Sequence, residues 1–181
     1  MKSVATELVP LRIALLTVSD TRRMAEDGAG DGLQAALLEA GHRLAARLLL
    51  PDNRYRIRAQ VAQWIADDST QVVLINGGTG LAGAGDHTIA AVKPLFDKIV
   101  DGFGEQFRAL SFAEIGTSAM QSSALAGVAN GTVVFAMPGS PAACQLAWHK
   151  LIAPQLDART RPCSFVAALK GNSGRCASVS G

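Results

Sequence analysis

Three short apolar runs constrain this chain more than any other feature. Residues 11–19 (LRIALLTVS), residues 71–76 (QVVLIN) and the segment GTVVFAMPGSP after Asn130 are nearly continuous in apolar and β-branched residues. A strand with one wet face alternates apolar and polar residues, so the unbroken 11–19 run reads as a central strand covered on both faces, as in a parallel sheet, and the other two runs as further strands. Parallel neighbours need long crossovers, and the intervening segments supply them. GLQAALLEAG (32–41) has helical apolar spacing and stops at Gly41. HRLAARLLLP then gives a strand ended by Pro51, and DNRYRIRAQVAQWIADD places Ile57, Val61, Trp64 and Ile65 on one helical face, with Asp52 or Asn53 available as N-cap. TIAAVKPLFDKI, GFGEQFRALSFAEIG and AACQLAWHKLIAPQL also read as helical. The expectation is an α/β fold: a three-layer domain with a mainly parallel sheet over residues 11–169, an N-terminal arm at 1–10 and a disordered small-residue tail at 170–181.

Composition removes several function classes. With 17 basic and 15 acidic residues scattered without a run of like charge, nothing tracks a nucleic-acid backbone or an anionic membrane, so neither is expected as a partner. No stretch of eighteen apolar residues occurs, and the chain reads as soluble and cytoplasmic. Cys144, Cys163 and Cys176 form no C-x-x-C pair and read as reduced structural thiols. His42, His87 and His149 lack zinc-site spacing. Trp64 and Trp148 sit among apolar neighbours and read as core rather than stacking surfaces.

In sheets of this kind ligands bind at the carboxyl ends of the strands. Those ends carry Ser19 and Asp20, then Pro51 and Asp52, then Gly77, Gly78, Thr79 and Gly80, then Pro138, Gly139 and Ser140. Glycines let a backbone approach a ligand and offer N–H groups to anionic oxygens, and Ser19, Thr79 and Ser140 add hydroxyl donors. The set suits an extended, polar, phosphorylated ligand.

The loop INGGTGLAGAGDHT (75–88) contains a dinucleotide-like G-x-G-x-x-G, with Asp101 about twenty residues on. It follows the third strand rather than opening the first unit, which argues against that fold. A P-loop reading fails because Asp86 and His87 stand where the lysine and hydroxyl belong. A carboxylate beside phosphates is compatible if Mg²⁺ lies between them, and Asp52 could be the second acid. Each residue also has a local reading: helix capping for Asp86 and Asp52, a Pro-Gly-Ser turn for Ser140.

GGTG with its loop ending in Asp86, GFGEQFRALSFAEIGTSAMQS, AGVAN, FAMPGSP and IAPQLDARTRPC resemble the MoaB/MogA family of molybdenum cofactor biosynthesis, and within it the MoaB branch, over about residues 11–166. The resemblance implies a molybdopterin-binding fold assembled as a homotrimer, or a homohexamer in that branch. It implies an adenylyltransferase: Mg²⁺-dependent transfer of AMP from ATP to the terminal phosphate of molybdopterin, releasing pyrophosphate. Asp86 falls on the family's catalytic, metal-holding aspartate and Asp52 on the acid after the second strand. Ser19, Asp20, Gly77 to Gly80 and Pro138 to Ser140 fall on pterin and phosphate contacts.

Such a transfer needs positioning and charge neutralisation rather than a protein nucleophile, which fits the lack of a Ser/His/Asp or Cys/His constellation. The alternative reading is a molybdopterin-binding carrier oligomer without turnover, and an NAD-type oxidoreductase ranks behind both. The chain departs from the family pattern at Ala29, Asn76, Ile89, Ala90 and Ser123, where Ser, Thr, Pro-Glu and Arg are usual, and its loop before Asp86 is one residue longer. These departures bear on turnover rather than on fold. Phe103, Phe107, Leu110 and Phe112 supply more apolar surface than one domain readily covers, a further pointer to a homo-oligomer.

Overall fold

The computed structural model describes residues 7–81 and 86–171. Its six-stranded sheet has the order β2-β1-β3-β6-β5-β4, built from β1 (Arg12–Val18), β2 (Arg43–Leu50), β3 (Val72–Gly77), β4 (Lys98–Ile99), β5 (Leu125–Ala129) and β6 (Thr132–Met137). β2, β1, β3 and β6 run parallel, while β5 pairs antiparallel with both β6 and β4. The three apolar runs are thus the three adjacent strands β1, β3 and β6, in which every residue except Arg12 is buried.

Alternate side chains of these strands supply two cores. Ile13, Leu15, Leu74, Phe135 and Met137 pack with α1 (Gly28–Glu39), α4 (Asp101–Ile115) and α5 (Pro141–Ala147), through Leu33, Leu37, Phe103, Phe107 and Ala147. Ala14, Leu16, Val73, Ile75 and Ala136 pack with α2 (Arg54–Ala66) and α3 (Thr88–Val92), through Ile57, Val61, Trp64 and Ala91. The domain is therefore three-layered as expected. Trp64 and Trp148 are both core residues, and Trp148 is the largest fully buried side chain. The chain continues from α5 through a π-helical turn (Trp148–Ile152) into α6 (Ala153–Gln155).

Two local expectations need correction, and one strand joins the sheet that the sequence reading did not assign. Residues 98–99 are a strand rather than the end of a helix, because Asp97 and Val100 N–H groups donate to Val128 and Ala126 carbonyls across the sheet. Residues 125–129 are also a strand, paired through the Asn130–Gly131 turn with β6. Neither is a long apolar run, so the sheet has an antiparallel edge that periodicity does not show. α1 begins at Gly28 rather than residue 32, because buried Asp27 accepts from the Gly30 N–H (3.0 Å) and caps it.

Phe103 and Phe107 prove to be core, whereas Phe112 stays 57% exposed, so only part of the apolar surface expected from that helix faces outward. Lys170 is tied down, its N–H donating to Gly131 O (2.8 Å) and its ammonium to Ile65 O (2.9 Å). The rest of the expected tail, from 172, and residues 1–6 of the expected arm lie outside the described residues. No helix among the described residues is long and apolar enough to cross a membrane.

Candidate active site

The crossovers set the site. β1 is flanked by β2 on one side and β3 on the other, with α1 and α2 on opposite faces, so the strand order reverses at β1 and a crevice opens at the carboxyl ends of β1, β3 and β6. A cleft of about 400 Å³ occupies this place, lined by Gly77, Gly78, Thr79, Gly80, Pro138 and Gly139, together with Arg22, Gln121 and Ser122. Its floor is formed where two strand ends meet closely. A Cβ on Gly139 would lie 2.9 Å from Gly77 Cα, and one on Gly77 (φ +90°) would run into the Val18 carbonyl, so only glycine serves at either position.

Six of the predicted residues line this cleft, and the others hold it together. Ser19 Oγ accepts from the Thr21 and Arg22 N–H groups (3.3 and 3.1 Å), fixing the turn that presents Arg22. Asp20 Oδ1 accepts from the Asp52 N–H (2.8 Å), joining the first two strand ends. Ser140 Oγ accepts from the Ala143 N–H (3.2 Å) and caps α5, so its local role is a real one.

Asp52 and Asp86 are brought together behind the glycine loop. Asn53, not Asp52, caps α2, accepting from Tyr55 and Arg56 N–H groups. The Asp52 carboxylate grips the loop instead. Its Oδ2 accepts from the Asp86 N–H (2.9 Å) and its Oδ1 from the His87 N–H (3.2 Å), with the His87 Nδ1 also 3.2 Å from Oδ1. It thereby clamps the point where the loop enters α3. A Cβ on Gly78 would lie 3.3 Å from Asp52 Oδ1, so this clamp abuts the cleft wall.

Asp86 does not cap a helix. The N-cap position of α3 is His87, which makes no side-chain cap bond, and Thr88 satisfies the local backbone instead, its N–H donating to Gly78 O and its hydroxyl to Gly77 O. Among the described residues Asp86 Oδ1 is buried without a hydrogen-bond partner, and its backbone holds φ +132°, which a side-chain-bearing residue adopts only under strain. Burial, then the Asp52 charge, push its carboxyl above the usual aspartate range, with His87 opposing. A buried carboxylate oxygen with no donor, beside a second acid, fits a hard cation shared with substrate phosphates. Among the described residues no group of three or more His, Cys, Asp or Glu could hold a metal without such help.

Under the loop runs a buried polar chain. Arg47 Nη2 donates to Asp27 Oδ2 (3.0 Å), the Thr17 hydroxyl donates to the same oxygen (2.7 Å), and Asn76 Nδ2 donates to Thr17 Oγ1 (2.9 Å), while Asn76 Oδ1 has no partner among the described residues. Burial pushes the Asp27 carboxyl up, but Thr17, the Gly30 N–H and Arg47 outweigh it and hold it below the ordinary range. The departure at Asn76 is thus absorbed into a bonded network. Cys144 is inert, its thiol pushed up to about 12 mainly by burial, while Cys163 is exposed.

Sequence reading missed Arg22, Gln121 and Ser122. Arg22 carries a legible signal, since a cation two residues beyond the Ser19–Asp20 strand end is well placed for phosphate. Gln121 ends a 3₁₀ turn (Gly116–Gln121) and Ser122 follows it, a segment that the antiparallel edge carries to the cleft.

A three-layer α/β domain that opens a glycine-walled, arginine-bearing cleft at its strand ends, backed by a carboxylate pair, is a binding domain for phosphorylated ligands. Comparison with known proteins makes this specific: the chain belongs to the molybdopterin-binding MoaB/MogA family of molybdenum cofactor biosynthesis, and the family model described as "Probable molybdopterin binding domain" matches residues 3–158. It is 58% identical over 170 residues to Molybdenum cofactor biosynthesis protein B of Escherichia coli K12, covering 94% of this chain and 99% of that protein. A crystal structure of a Molybdenum cofactor biosynthesis protein B superposes with a TM-score of 0.80 at 42% identity, covering 83% of this chain and 93% of that one. The tungsten cofactor synthesizing protein MoaB of Pyrococcus furiosus superposes with a TM-score of 0.68 at 32% identity, covering 76% and 88%.

Proposed function

We propose that this chain binds molybdopterin and adenylylates its terminal phosphate, using ATP and Mg²⁺ and releasing pyrophosphate. The observation that carries the reading is Asp86: its carboxylate oxygen is buried without a partner among the described residues, on a strained backbone, beside Asp52 and behind the glycine loop. A fold retains such a group at a cost in stability, and a metal-holding role explains the cost.

In the proposed reaction a phosphate oxygen of the pterin attacks the α-phosphorus of ATP, the bond from that phosphorus to the β-bridging oxygen breaks, and pyrophosphate leaves with the electron pair. No protein nucleophile is needed. The N–H groups of Gly77 to Gly80 are the donors for charge developing on the α-phosphate. Asp52 is a positioning residue, holding the Asp86 and His87 N–H groups so that the Asp86 carboxylate keeps its place. Mg²⁺, held by Asp86 with the substrate phosphates, would neutralise charge on the transferring and leaving groups.

A second reading, a molybdopterin carrier without turnover, draws support from Asp52, whose two oxygens already accept from the loop and leave it little capacity toward a metal. Incubation with molybdopterin, ATP and Mg²⁺ separates the two: stoichiometric pyrophosphate release supports transfer, and molybdopterin binding without release supports the carrier. We also propose a homo-oligomer, trimeric or hexameric. Phe112, Ile115 and Met120 are 57%, 54% and 80% exposed on one helix and the turn that follows it, a surface that a second copy would cover. Light scattering that returned only monomer would reject it.

A further inference from the structure

We infer that Arg22 is the anion anchor of the cleft, and that it holds the terminal phosphate monoester of the pterin while the nucleotide lies on the carboxylate side of the glycine loop. The inference rests on the cleft being the molybdopterin site.

Arg22 is half-buried in the cleft wall and, among the described residues, makes one side-chain hydrogen bond, Nη1 to the Gly139 carbonyl at 3.0 Å. A guanidinium carries five N–H donors, so most of its capacity is unused. The part-buried Arg47 and Arg58 are committed instead: Arg47 is paired with Asp27 and Asp31, and Arg58 donates to two α3 carbonyls. Among the described residues no carboxylate lies within ion-pair distance of Arg22, and residues 1–6, 82–85 and 172–181 contain no Asp or Glu. The Gly139 bond and the Ser19 turn hold this cation in place without neutralising it.

The loop divides the site by charge. On one side of Gly77 stand Arg22 and Gly139, and beyond Gly78 stand Asp52 and Asp86. A dianionic phosphate monoester that carries no metal suits the guanidinium, whose fork matches phosphate oxygens. Triphosphate with Mg²⁺ suits the carboxylates, which would repel a bare phosphate. The arrangement therefore assigns the attacking phosphate to Arg22 and the nucleotide to the opposite side.

The test is anaerobic equilibrium binding of molybdopterin and of its enzymatically dephosphorylated form to wild type, Arg22→Met and Arg22→Lys, each checked for a cooperative melt. A hydrogen-bonded charge pair of this kind predicts that Arg22→Met weakens molybdopterin binding about 10- to 100-fold. Arg22→Lys should recover part of the loss, binding of the dephosphorylated pterin should be unchanged, and the KM for ATP should not move. Equal loss of both pterins would make Arg22 only a latch on Gly139 and overturn the assignment. So would unchanged molybdopterin affinity, or a rise confined to the ATP KM, and in both cases the molybdopterin site itself would stand. Wild type that binds neither pterin would remove the underlying reading and the inference with it.

Discussion

Replacing Asp86 by Asn should make this protein more stable and far less active, and the opposite signs follow from one atom. Asp86 Oδ1 is buried with no donor among the described residues, and Asp52 lies close enough to raise its carboxyl pKa further. The amide keeps the size, removes the like-charge repulsion and offers an N–H₂ donor to its surroundings. Relieving one unsatisfied buried group is worth about 1 kcal/mol, or about 2–4 °C in Tm for a chain of this length. The gain depends on pH. A carboxyl whose folded pKa is raised supports the fold fully below its unfolded pKa and loses that support as pH rises through the folded value. The variant should therefore match wild type in acid and exceed it at neutral pH. Pyrophosphate release should fall about 100- to 1000-fold, the scale of losing one preorganised charge-stabilising group, with molybdopterin affinity nearly unchanged. Thermal melts across pH and a turnover assay at saturating substrates check both arms. A variant that turns over at the wild-type rate, or melts lower than wild type at neutral pH, would refute the reasoning.

Asp27→Ala should cost about 3 kcal/mol by urea unfolding, because it removes the buried one of the two Arg47 carboxylate partners, leaves the Thr17 hydroxyl without its acceptor and removes the α1 cap. Since the folded Asp27 carboxyl lies below its ordinary range, that contribution is present above the unfolded pKa and lost as pH falls through the folded one, so the gap to wild type should close in acid. Gly77→Ala should destabilise by about 2 kcal/mol or more and collapse the cleft floor, since its Cβ would meet the Val18 carbonyl at positive φ; an unchanged melting temperature would contradict the close approach. Phe135→Ala, at a ring packed edge-on against Phe103 and Phe165, should cost about 3–5 kcal/mol in chemical unfolding.

The layered core was legible because burial on both faces leaves a mark that needs no partner to be seen. β1, β3 and β6 had to be apolar on every side, and their intervals had to be long enough for crossovers. β4 and β5 carry no such mark. β4 has two residues and β5 five, with Gly127 at its centre where a side chain would strike Phe96, and their pairing rests on neighbours distant in sequence. The same difference runs through the site. The glycines at the strand ends announce themselves, because a backbone that must approach another backbone excludes Cβ.

By itself the amino-acid sequence determined which strands are buried, that they run parallel, that the ligand end is rich in glycine and carboxylate, and that Asp86 stands where a lysine would hold phosphate. Those properties are local: each depends on a run of residues or on the chemistry of one position. Only the tertiary structure decided how the carboxylates divide their work. Asn53 took the α2 cap and His87 the start of α3, which left Asp52 to bind the loop backbone and Asp86 with an oxygen that none of the described residues satisfies. It likewise decided that Arg22 meets Gly139 across the cleft, 117 residues apart. Hydrogen-bond partners and desolvation depend on distances between strand ends, and those distances exist only once the sheet has set its order.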